Sequence, residues 1–320
     1  MPAILTLTPN PALDLSTTAE RVLPTHKLRC GPVTRYAGGG GVNVARLLHR
    51  MGADVAAWTL TGGPAGAKVQ QLLEREGVPA LCLPIADDTR ENLSVIETAT
   101  GQEFRFVLPG PLLAAGEWQA MLERLESLPS LPSALRWLVA SGSLAPGMPE
   151  DFYAQAARIA QRKGARFALD SSGPALAAAL QAGVALVKPS LRELRELTGQ
   201  ALPDAPAWQA AAQALVRSGQ AELVALSLGA QGGLIASRDG VWQAPALQVP
   251  TATGTTGAGD CFLAAILWAL TQGEPAPEAL RWGMAAGAAA LLAPGTALAQ
   301  VADLQRLWPQ VVVQAVAGKQ

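Results

Sequence analysis

Short runs of aliphatic and β-branched residues alternate along the chain with longer stretches in which apolar residues recur every three or four positions. The short runs predict β-strands, and the longer stretches predict amphipathic helices. The predicted strands cover residues 4–7, 54–59, 137–141, 166–170, 186–188 and 223–227. The predicted helices cover residues 42–51, 65–76 and 151–163, and each ends at a glycine, which is typical of a helix C-terminus. This alternation predicts a mostly parallel sheet with helices on both faces.

Two segments, at residues of about 14–36 and 88–108, interrupt the alternation. The first contains several β-formers and few helix signals, and the second alternates between apolar and polar side chains around a turn at Thr100-Gly101. The second segment predicts a β-hairpin with one apolar face. We expect the two segments to form a small antiparallel sheet that stands off the main sheet as a lid, with a pair of ordinary edge hairpins as the alternative. The apolar face needs cover from a ligand, the main domain or the same sheet of a second subunit.

Composition narrows the class of protein. A length of 320 residues permits two domains or one large α/β domain with an appendage, and we predict a single domain over residues 1–320. The net charge of −1 provides no general basic field for nucleic acid or for an anionic membrane surface. Three cysteines without CxxC spacing, and an N-terminus that does not resemble a signal peptide, predict a cytoplasmic protein.

The clearest chemical signal is the run TGTTGAGD, residues 253–260, which precedes an apolar, helix-like segment. Glycines allow successive backbone N–H groups to converge, and a helix N-terminus adds partial positive charge. The run therefore suits a phosphate, or a phosphoryl group during its transfer. Asp260 then lies where a carboxylate can accept a proton from an attacking hydroxyl. The alternative is that Asp260 only caps the helix.

A second glycine run, YAGGGGVNVAR at residues 36–46, precedes another predicted helix. Four consecutive glycines allow the backbone to approach a ligand closely, and Asn43 offers both a donor and an acceptor. A dinucleotide fingerprint that began with Gly39 and Gly41 would require a third glycine at Val44. The preceding residues also look like part of the lid and not like a first strand. We therefore reject an NAD site.

Charged residues in the predicted lid suit an anionic ligand. Lys27, Arg29, Arg90 and Arg105 are the local candidates for a phosphate clamp, although each one taken alone fits a solvated surface charge. Asp14 follows the first predicted strand, where its carboxylate can accept hydrogen bonds from two sugar hydroxyls or can simply form a turn.

Two segments near the middle of the chain suit a nucleotide. In VKPSLRE, Lys188 can approach nucleotide phosphates and Glu193 can hold a magnesium-bound water, unless Ser190 and Glu193 only form a capping box. The segment SLGAQGG, residues 227–233, predicts a strand, a glycine turn and another strand. That arrangement suits the edge of a nucleotide site, or only a hairpin.

Together these motifs resemble the ribokinase-like (PfkB) carbohydrate kinases. GGGGVNVAR and GTTGAGD are similar to the two signatures of that family, and TLTPNPALD, SGSLAPG, LDSSGPAL, VKPS and SLGAQGG extend the likeness through nearly the whole chain. The resemblance implies a ribokinase-like three-layer α/β sandwich with a mostly parallel central sheet and a β-clasp lid that pairs between the subunits of a homodimer. It also implies ATP and Mg²⁺ as cofactors, with K⁺ in many members.

The likeness also assigns residues to roles. It implies that Asp260 is the catalytic base and that Gly257, Ala258 and Gly259 form an anion hole. Sugar contacts are implied for Asp14, Gly38, Gly39, Gly40, Asn43 and Ser141, and sugar-phosphate contacts for Lys27, Arg29, Arg90 and Arg105. ATP contacts are implied for Lys188, Ser190, Glu193, Ser227, Gly229, Gly232 and Thr255, with Glu193 reaching magnesium through water.

Within the family the chain is most similar to the PfkB-type 6-phosphofructokinases, because Gly40 stands where 1-phosphofructokinases and tagatose-6-phosphate kinases usually carry lysine. The implied reaction is ATP-dependent phosphorylation of fructose 6-phosphate at its C1 hydroxyl. The alternatives are the other two phosphosugar kinases, a kinase of an unphosphorylated sugar or nucleoside, and a non-catalytic sensor. The chain departs from the family pattern at Ser190, where asparagine is usual, and in the apolar loop at residues 293–297.

Overall fold

The structure, a computed structural model, describes residues 2–129, 135–249 and 256–316. Its strands are β1 (Ile4–Thr8), β2 (Ala12–Ala19), β3 (Thr34–Gly38), β4 (Val55–Thr61), β5 (Ala80–Pro84), β6 (Arg90–Glu97), β7 (Glu103–Phe106), β8 (Trp137–Ser141), β9 (Arg166–Asp170), β10 (Val184–Val187), β11 (Ala221–Ser227), β12 (Gly233–Ser237), β13 (Gly240–Ala244) and β14 (Gln314–Ala315). Its helices are α1 (Gly40–Arg50), α2 (Gly63–Arg75), α3 (Ala115–Glu126), α4 (Phe152–Arg162), α5 (Gly173–Ala182), α6 (Leu191–Thr198), α7 (Ala205–Arg217), α8 (Ala258–Thr271), α9 (Ala276–Ala290) and α10 (Val301–Leu307).

The main sheet has ten strands in the order β14-β13-β12-β11-β10-β9-β8-β1-β4-β5. All neighbours from β5 to β11 pair in parallel, and β12, β13 and β14 extend that sheet with antiparallel pairing. Parallel neighbours need crossover connections, and helices provide them here. The predicted parallel α/β architecture is therefore confirmed.

Helices cover both faces of this sheet, because alternate strand residues point into two separate cores. Ile4 and Val139 pack into one core with α1, α2, α8, α9 and α10, whereas Leu5 and Leu138 pack into the other with α3 to α7. The strands are consequently apolar on both faces, as expected for a parallel sheet in the middle of a three-layer protein.

Several predicted boundaries agree with the structure. Strands β8 and β9 occupy the predicted residues, and the predicted 42–51 helix begins two residues earlier, at Gly40. The glycines predicted to end three helices, Gly52, Gly77 and Gly164, have φ angles of +78°, +72° and +74°. These left-handed conformations cost glycine little, which is why it ends these helices.

A second sheet, with the order β3-β2-β6-β7, stands apart from the main sheet. The predicted hairpin is present, since β6 pairs antiparallel with β7. The expectation of a fully antiparallel sheet is wrong, because β2 and β6 pair in parallel, from Ala12 with Arg90 to Ala19 with Glu97. Strand β2 continues from β1 and β6 continues from β5, and those two strands run in the same direction in the main sheet. β2 and β6 therefore leave the main sheet at the same carboxyl-terminal end, and they run in the same direction.

Across the described ranges, no helix is both long and apolar enough to cross a membrane. The most apolar helix, α8, is instead an interior element: every residue from Cys261 to Leu267 is buried.

Candidate active site

A polar cleft of about 280 Å³ lies between the carboxyl ends of the central strands, the second sheet and the N-terminus of α8. Ser141 ends β8, Asp170 ends β9, and Asp260 lies in the first turn of α8. Open α/β sheets commonly bind ligands at this position. The lining residues are Asp14, Gly39, Gly40, Asn43, Arg90, Asn92, Arg105, Val107, Ser141, Gly142, Ser143, Asp170, Ser171, Ser172, Glu193, Thr256, Gly257 and Asp260.

Asp260 is the third residue of α8 and not its cap, so the capping alternative is wrong. The cap position belongs to Gly257, whose φ of +80° directs the chain into the helix. The carboxylate of Asp260 lines the cleft, and its Oδ2 accepts a hydrogen bond of 2.8 Å from Nδ2 of Asn43. This hydrogen bond thus joins the two glycine-rich motifs, which are far apart in sequence.

Burial raises the pKa of Asp260 to about 7, and the negative charge of nearby Asp170 adds to the increase. The hydrogen bond from Asn43 and the positive charge of Lys188 act in the opposite direction. A carboxylate with a pKa near neutrality suits a general base, because it is substantially ionised at working pH and still binds a proton well.

Activity should therefore depend on pH through Asp260. We expect kcat/KM to fall as the pH decreases below about 7, because a protonated carboxyl cannot accept a proton from the substrate. Asp170→Asn should move this acid limb to lower pH, since it removes the charge that helps to raise the pKa of Asp260. Initial rates between pH 5 and pH 9 measure both curves.

The comparison of wild type with Asp170→Asn also controls for ionisation of the substrate. A phosphate monoester loses its second proton at a pH of about 6, and that ionisation is the same for both proteins. An acid limb at the same pH in wild type and Asp170→Asn would contradict the assignment of the limb to Asp260.

Asp170 and Lys188 form an ion pair of 3.0 Å beside Asp260. Ser141 Oγ donates a hydrogen bond of 3.5 Å to the other oxygen of Asp170. A Cβ atom at Gly259 would lie 3.6 Å from Lys188 Nζ, so the ammonium group is next to the glycines at the start of α8. The sequence predicts a role for Lys188 but gives no comparable indication for Asp170. The feature that could have indicated Asp170 is its position at the end of a buried strand of a parallel sheet.

Asp14 lies within β2 and not in a turn, so the turn alternative is wrong. Its Oδ1 accepts a hydrogen bond of 2.9 Å from Nδ2 of Asn92 on the neighbouring strand β6. Burial raises the pKa of Asp14, against the hydrogen bond from Asn92 and the charges of Arg105 and Arg90. A side chain at Gly38 would collide with this carboxylate, which explains the need for glycine there.

The glycine run at residues 38–41 packs closely against the protein's own backbone and also leaves space for a ligand. Gly39 has a φ of +108°, and a Cβ at Gly40 would lie within 3.0 Å of the backbone of Ser141 and Gly142. The run follows β3, which belongs to the second sheet and pairs antiparallel with β2. A dinucleotide fingerprint follows the first strand of a βαβ unit, so this topology agrees with the rejection of an NAD site.

Two of the four proposed phosphate-binding cations, Arg90 and Arg105, line the cleft. Arg90 donates hydrogen bonds to the backbone oxygens of Asn10, Pro11 and Leu108 at 3.0, 3.3 and 3.2 Å. Those contacts hold the guanidinium in place. Lys27 and Arg29 are exposed in the connection between β2 and β3 and do not line the cleft of their own chain.

An apolar pocket of about 490 Å³ lies on the other side of the α8 N-terminus. It includes three residues proposed from sequence, Ser227, Gly229 and Gly232, and it extends to Phe262 and Met284. Ala258 and Gly259 line this pocket, whereas Gly257 and Asp260 line the polar cleft. The first turn of α8 is therefore shared by the two cavities.

Ser190 and Glu193 form the capping box that was the alternative at this segment. Ser190 Oγ accepts from the Glu193 N–H at 3.2 Å, and a Glu193 carboxylate oxygen accepts from the Ser190 N–H at 2.7 Å. Glu193 also lines the polar cleft, so its capping contact leaves it beside the site. Thr255, proposed as an ATP contact, lies outside the described residues.

The chain belongs to the PfkB family, because the family described as pfkB family carbohydrate kinase matches residues 11–302. This confirms the resemblance, and it defines the protein as a carbohydrate kinase, a phosphotransferase. The ATP-dependent 6-phosphofructokinase isozyme 2 of Mycobacterium tuberculosis is 42% identical over 307 residues, covering 96% of this chain and 89% of the relative. The protein of the same description from Escherichia coli is 38% identical over 309 residues, covering 96% and 98%.

Solved structures confirm the ribokinase-like fold. Phosphofructokinase-2 from Escherichia coli in complex with potassium superposes with a TM-score of 0.91 at 38% identity, covering 97% of this chain and 99% of the other.

A 1-phosphofructokinase from Xanthomonas campestris is also similar in sequence. It is 38% identical over 271 residues, covering 83% of each chain.

Proposed function

We propose that the protein transfers the γ-phosphoryl group of ATP to the C1 hydroxyl of fructose 6-phosphate, giving fructose 1,6-bisphosphate and ADP. The observation that carries the proposal is the position of Asp260 at the first turn of α8, between a polar cleft with two arginines and an apolar pocket. The cleft suits a phosphorylated sugar, and the pocket suits a nucleoside. Relatives named 6-phosphofructokinase isozyme 2 support this choice of substrate.

In the proposed reaction, Asp260 accepts the proton of the C1 hydroxyl as its oxygen forms a bond to the γ-phosphorus. The bond between that phosphorus and the β–γ bridging oxygen breaks, and ADP leaves with the electron pair. Backbone N–H groups at Gly257, Ala258 and Gly259 face the transferred group with the positive end of the helix dipole. Lys188, next to Gly259, adds positive charge at the same place. Such positioning and electrostatic stabilisation are the main sources of acceleration in phosphoryl transfer.

The residues present fit a magnesium ion. Mg²⁺ prefers oxygen ligands and is usually held by one or two carboxylates, waters and substrate phosphates. Asp170 and Glu193 both line the polar cleft, and we propose that Glu193 reaches the ion through water despite the serine at position 190. The described residues contain no group of three or more His, Cys, Asp or Glu that could hold a metal unaided. When bound with ATP, Mg²⁺ would neutralise charge on the phosphates.

K⁺ is a further proposed cofactor, supported by the phosphofructokinase-2 structure that contains potassium. Thr296 has the one polar side chain among residues 293–297, so this loop offers its hydroxyl and backbone carbonyl oxygens, which are ligands of the kind that potassium accepts. The carbonyl oxygens of Thr296 and Ala297 already accept hydrogen bonds from Arg46 and Arg50. A cytoplasmic location fits the cysteines, since all three are free.

We propose a homodimer through the second sheet. One face of that sheet leaves Leu93 and Phe106 at 37% and 50% exposure, and Leu28 and Val33, in the connection between β2 and β3, are also exposed. Contact with the same face of a second copy would cover these side chains. It would also allow Lys27 and Arg29 of each subunit to approach the polar cleft of the other. The molar mass in solution tests this arrangement, and a monomer at micromolar concentration would contradict it.

The reaction itself is tested by measuring ADP release with a panel of acceptors. We expect fructose 6-phosphate to give the highest kcat/KM, ahead of tagatose 6-phosphate, fructose 1-phosphate and unphosphorylated fructose. A higher value for any other member would assign a different acceptor, and no release with any member would favour a non-catalytic role. NMR of the product shows which hydroxyl carries the new phosphate.

The apolar pocket provides a separate prediction for ATP. Gly287, in the last turn of α9, lines this pocket, and a Cβ there would have 3.6 Å to its nearest neighbour. Gly287→Ala should therefore leave the KM for ATP close to wild type. Gly287→Leu should raise the KM for ATP by about tenfold or more, because the added methyl groups occupy nucleotide space at a cost of about 1–3 kcal/mol. Steady-state kinetics with each substrate varied in turn distinguishes the two. An equal rise in both Michaelis constants would contradict an ATP pocket here.

A further inference from the structure

Arg46 is a buried cation behind the polar cleft, with 1% of its surface exposed. It lies on α1, one turn beyond Asn43. Its guanidinium pairs with both carboxylate oxygens of Glu76, at distances of 2.7 to 3.1 Å. It also donates to Asn43 Oδ1 at 3.3 Å, and to the backbone oxygens of Ala37 and Thr296 at 2.9 and 3.2 Å. Burying a charge is costly unless it is paired and hydrogen-bonded, so this position needs an explanation.

The contact with Asn43 decides which way the amide faces. A guanidinium has only N–H donors, so the amide oxygen must face Arg46. The amide nitrogen then faces the other way, toward Asp260 Oδ2, to which it donates at 2.8 Å. The reverse orientation would place the amide oxygen against a carboxylate and the NH₂ group against a guanidinium. Both of those contacts would be repulsive.

Arg46 is itself held in place from the side away from the cleft. Glu76 follows the C-terminus of α2 and also pairs with Arg50 at 2.9 Å. Burial opposes the charge of Glu76, but the two arginines outweigh it and lower the pKa of its carboxyl. Neither Glu76 nor Arg46 is among the described residues that line the polar cleft. Asn43 is the residue that connects them to Asp260 by hydrogen bonds, and the positive charge of Arg46 also acts on Asp14.

We infer that Arg46, held by Glu76, is a positioning residue that fixes the orientation of the Asn43 amide and thereby the hydrogen bond to Asp260. This inference deepens the proposed function, because it takes Asp260 as the base. The contacts with Ala37 at the end of β3 and with Thr296 beyond α9 extend the same anchor to the second sheet and the C-terminal part of the chain.

The central test is Arg46→Met, which keeps an unbranched side chain but removes every donor. The Asn43 amide is then free to turn, and Asp260 loses a hydrogen bond to its ionised form. We expect the acid limb of the kcat profile to move to higher pH by roughly one unit, and kcat at pH 7 to fall about fivefold, because the ionised fraction of Asp260 at that pH falls by about that factor. Arg46→Lys keeps the charge and one donor direction, so it should recover part of both effects. The KM for ATP should change less than kcat.

A matched control is Arg162→Met, at the exposed 2.6 Å pair of Arg162 with Glu126 on the surface. We expect its pH profile and kcat to equal those of wild type. Thermal unfolding of all variants identifies those that fold. If Arg46→Met does not fold, Arg46→Lys and Glu76→Gln carry the test, with a smaller shift of the acid limb in the same direction expected for both.

A folded Arg46→Met whose acid limb stays at the wild-type pH would overturn the inference, as would Arg46→Lys with losses equal to those of Arg46→Met. If Arg46→Met does not fold, an unmoved limb in both Arg46→Lys and Glu76→Gln would overturn it equally. These outcomes are distinct from a failure of the proposed function. Full turnover by Asp260→Asn would remove the base assignment whatever the Arg46 variants do. An inactive Asp260→Asn together with unshifted Arg46 variants would overturn only the positioning role.

Discussion

Asp260→Asn should lower kcat by about 10³-fold while leaving ATP affinity close to that of wild type. The amide has nearly the same shape as the carboxylate but cannot accept the proton of the C1 hydroxyl. ATP is expected to contact the other side of the α8 N-terminus, where the apolar pocket lies. Steady-state turnover and calorimetric titration with nucleotide measure the two quantities separately.

Asp303→Asn is a closely matched control for this substitution. Asp303 is also the third residue of its helix, α10, but it is on the surface and pairs with Arg306 at 2.8 Å. Both substitutions remove a negative charge from the first turn of a helix, and only one removes the proposed base. Equal losses of activity in the two variants would indicate a general effect on helix stability and would count against Asp260 as the base.

Arg90→Ala should raise the KM for fructose 6-phosphate about 100-fold, and the KM for ATP far less. A guanidinium has five N–H groups, and three of those of Arg90 are directed to backbone oxygens. Two remain for the sugar phosphate, and two charge-assisted hydrogen bonds of about 1.5 kcal/mol each correspond to roughly that factor. The KM of Arg90→Lys for fructose 6-phosphate should lie between those of wild type and Arg90→Ala, because lysine keeps the positive charge but lacks the two-pronged guanidinium.

Arg238→Ala is the control for the loss of a positive charge. Arg238 is exposed in the turn between β12 and β13, away from the second sheet, and lines neither the polar cleft nor the apolar pocket. It carries the same charge as Arg90, so its removal should leave both Michaelis constants unchanged. A similar rise in the two Michaelis constants for Arg90→Ala, or no rise at all, would place the phosphate elsewhere.

The main sheet was predictable because its signals are local. Strands such as β8 and β9 are short, buried and bounded by polar or turn residues, and helices such as α1 end at glycines with left-handed backbone. The second sheet was predictable only in part. Its hairpin follows from the alternation around Thr100-Gly101, whereas the parallel pairing of β2 with β6 depends on how β1 and β5 are arranged in the main sheet.

The candidate site shows the same division. Asp260 and Asn43 stand in glycine-rich motifs that can be recognised in the sequence, and the structure places them 2.8 Å apart. Arg46 ends the first of these motifs and Asp170 lies in the segment LDSSGPAL, but neither segment indicates the contacts of these side chains, which arise only when adjacent strands or helices pack together. Lys27 shows a further limit, since it is exposed and does not line the polar cleft of its own chain, which the sequence alone does not indicate.

The sharing of the first turn of α8 by two separate cavities has a consequence for the kinetic scheme. The described linings of the two cavities have no residue in common, so we expect that neither substrate occupies the place of the other and that either can bind first. Both must be present together before phosphorus can move, since the acceptor oxygen and the donor approach the same helix end from opposite sides. We therefore expect turnover to be a sequential, ternary-complex process without a phosphorylated form of the enzyme.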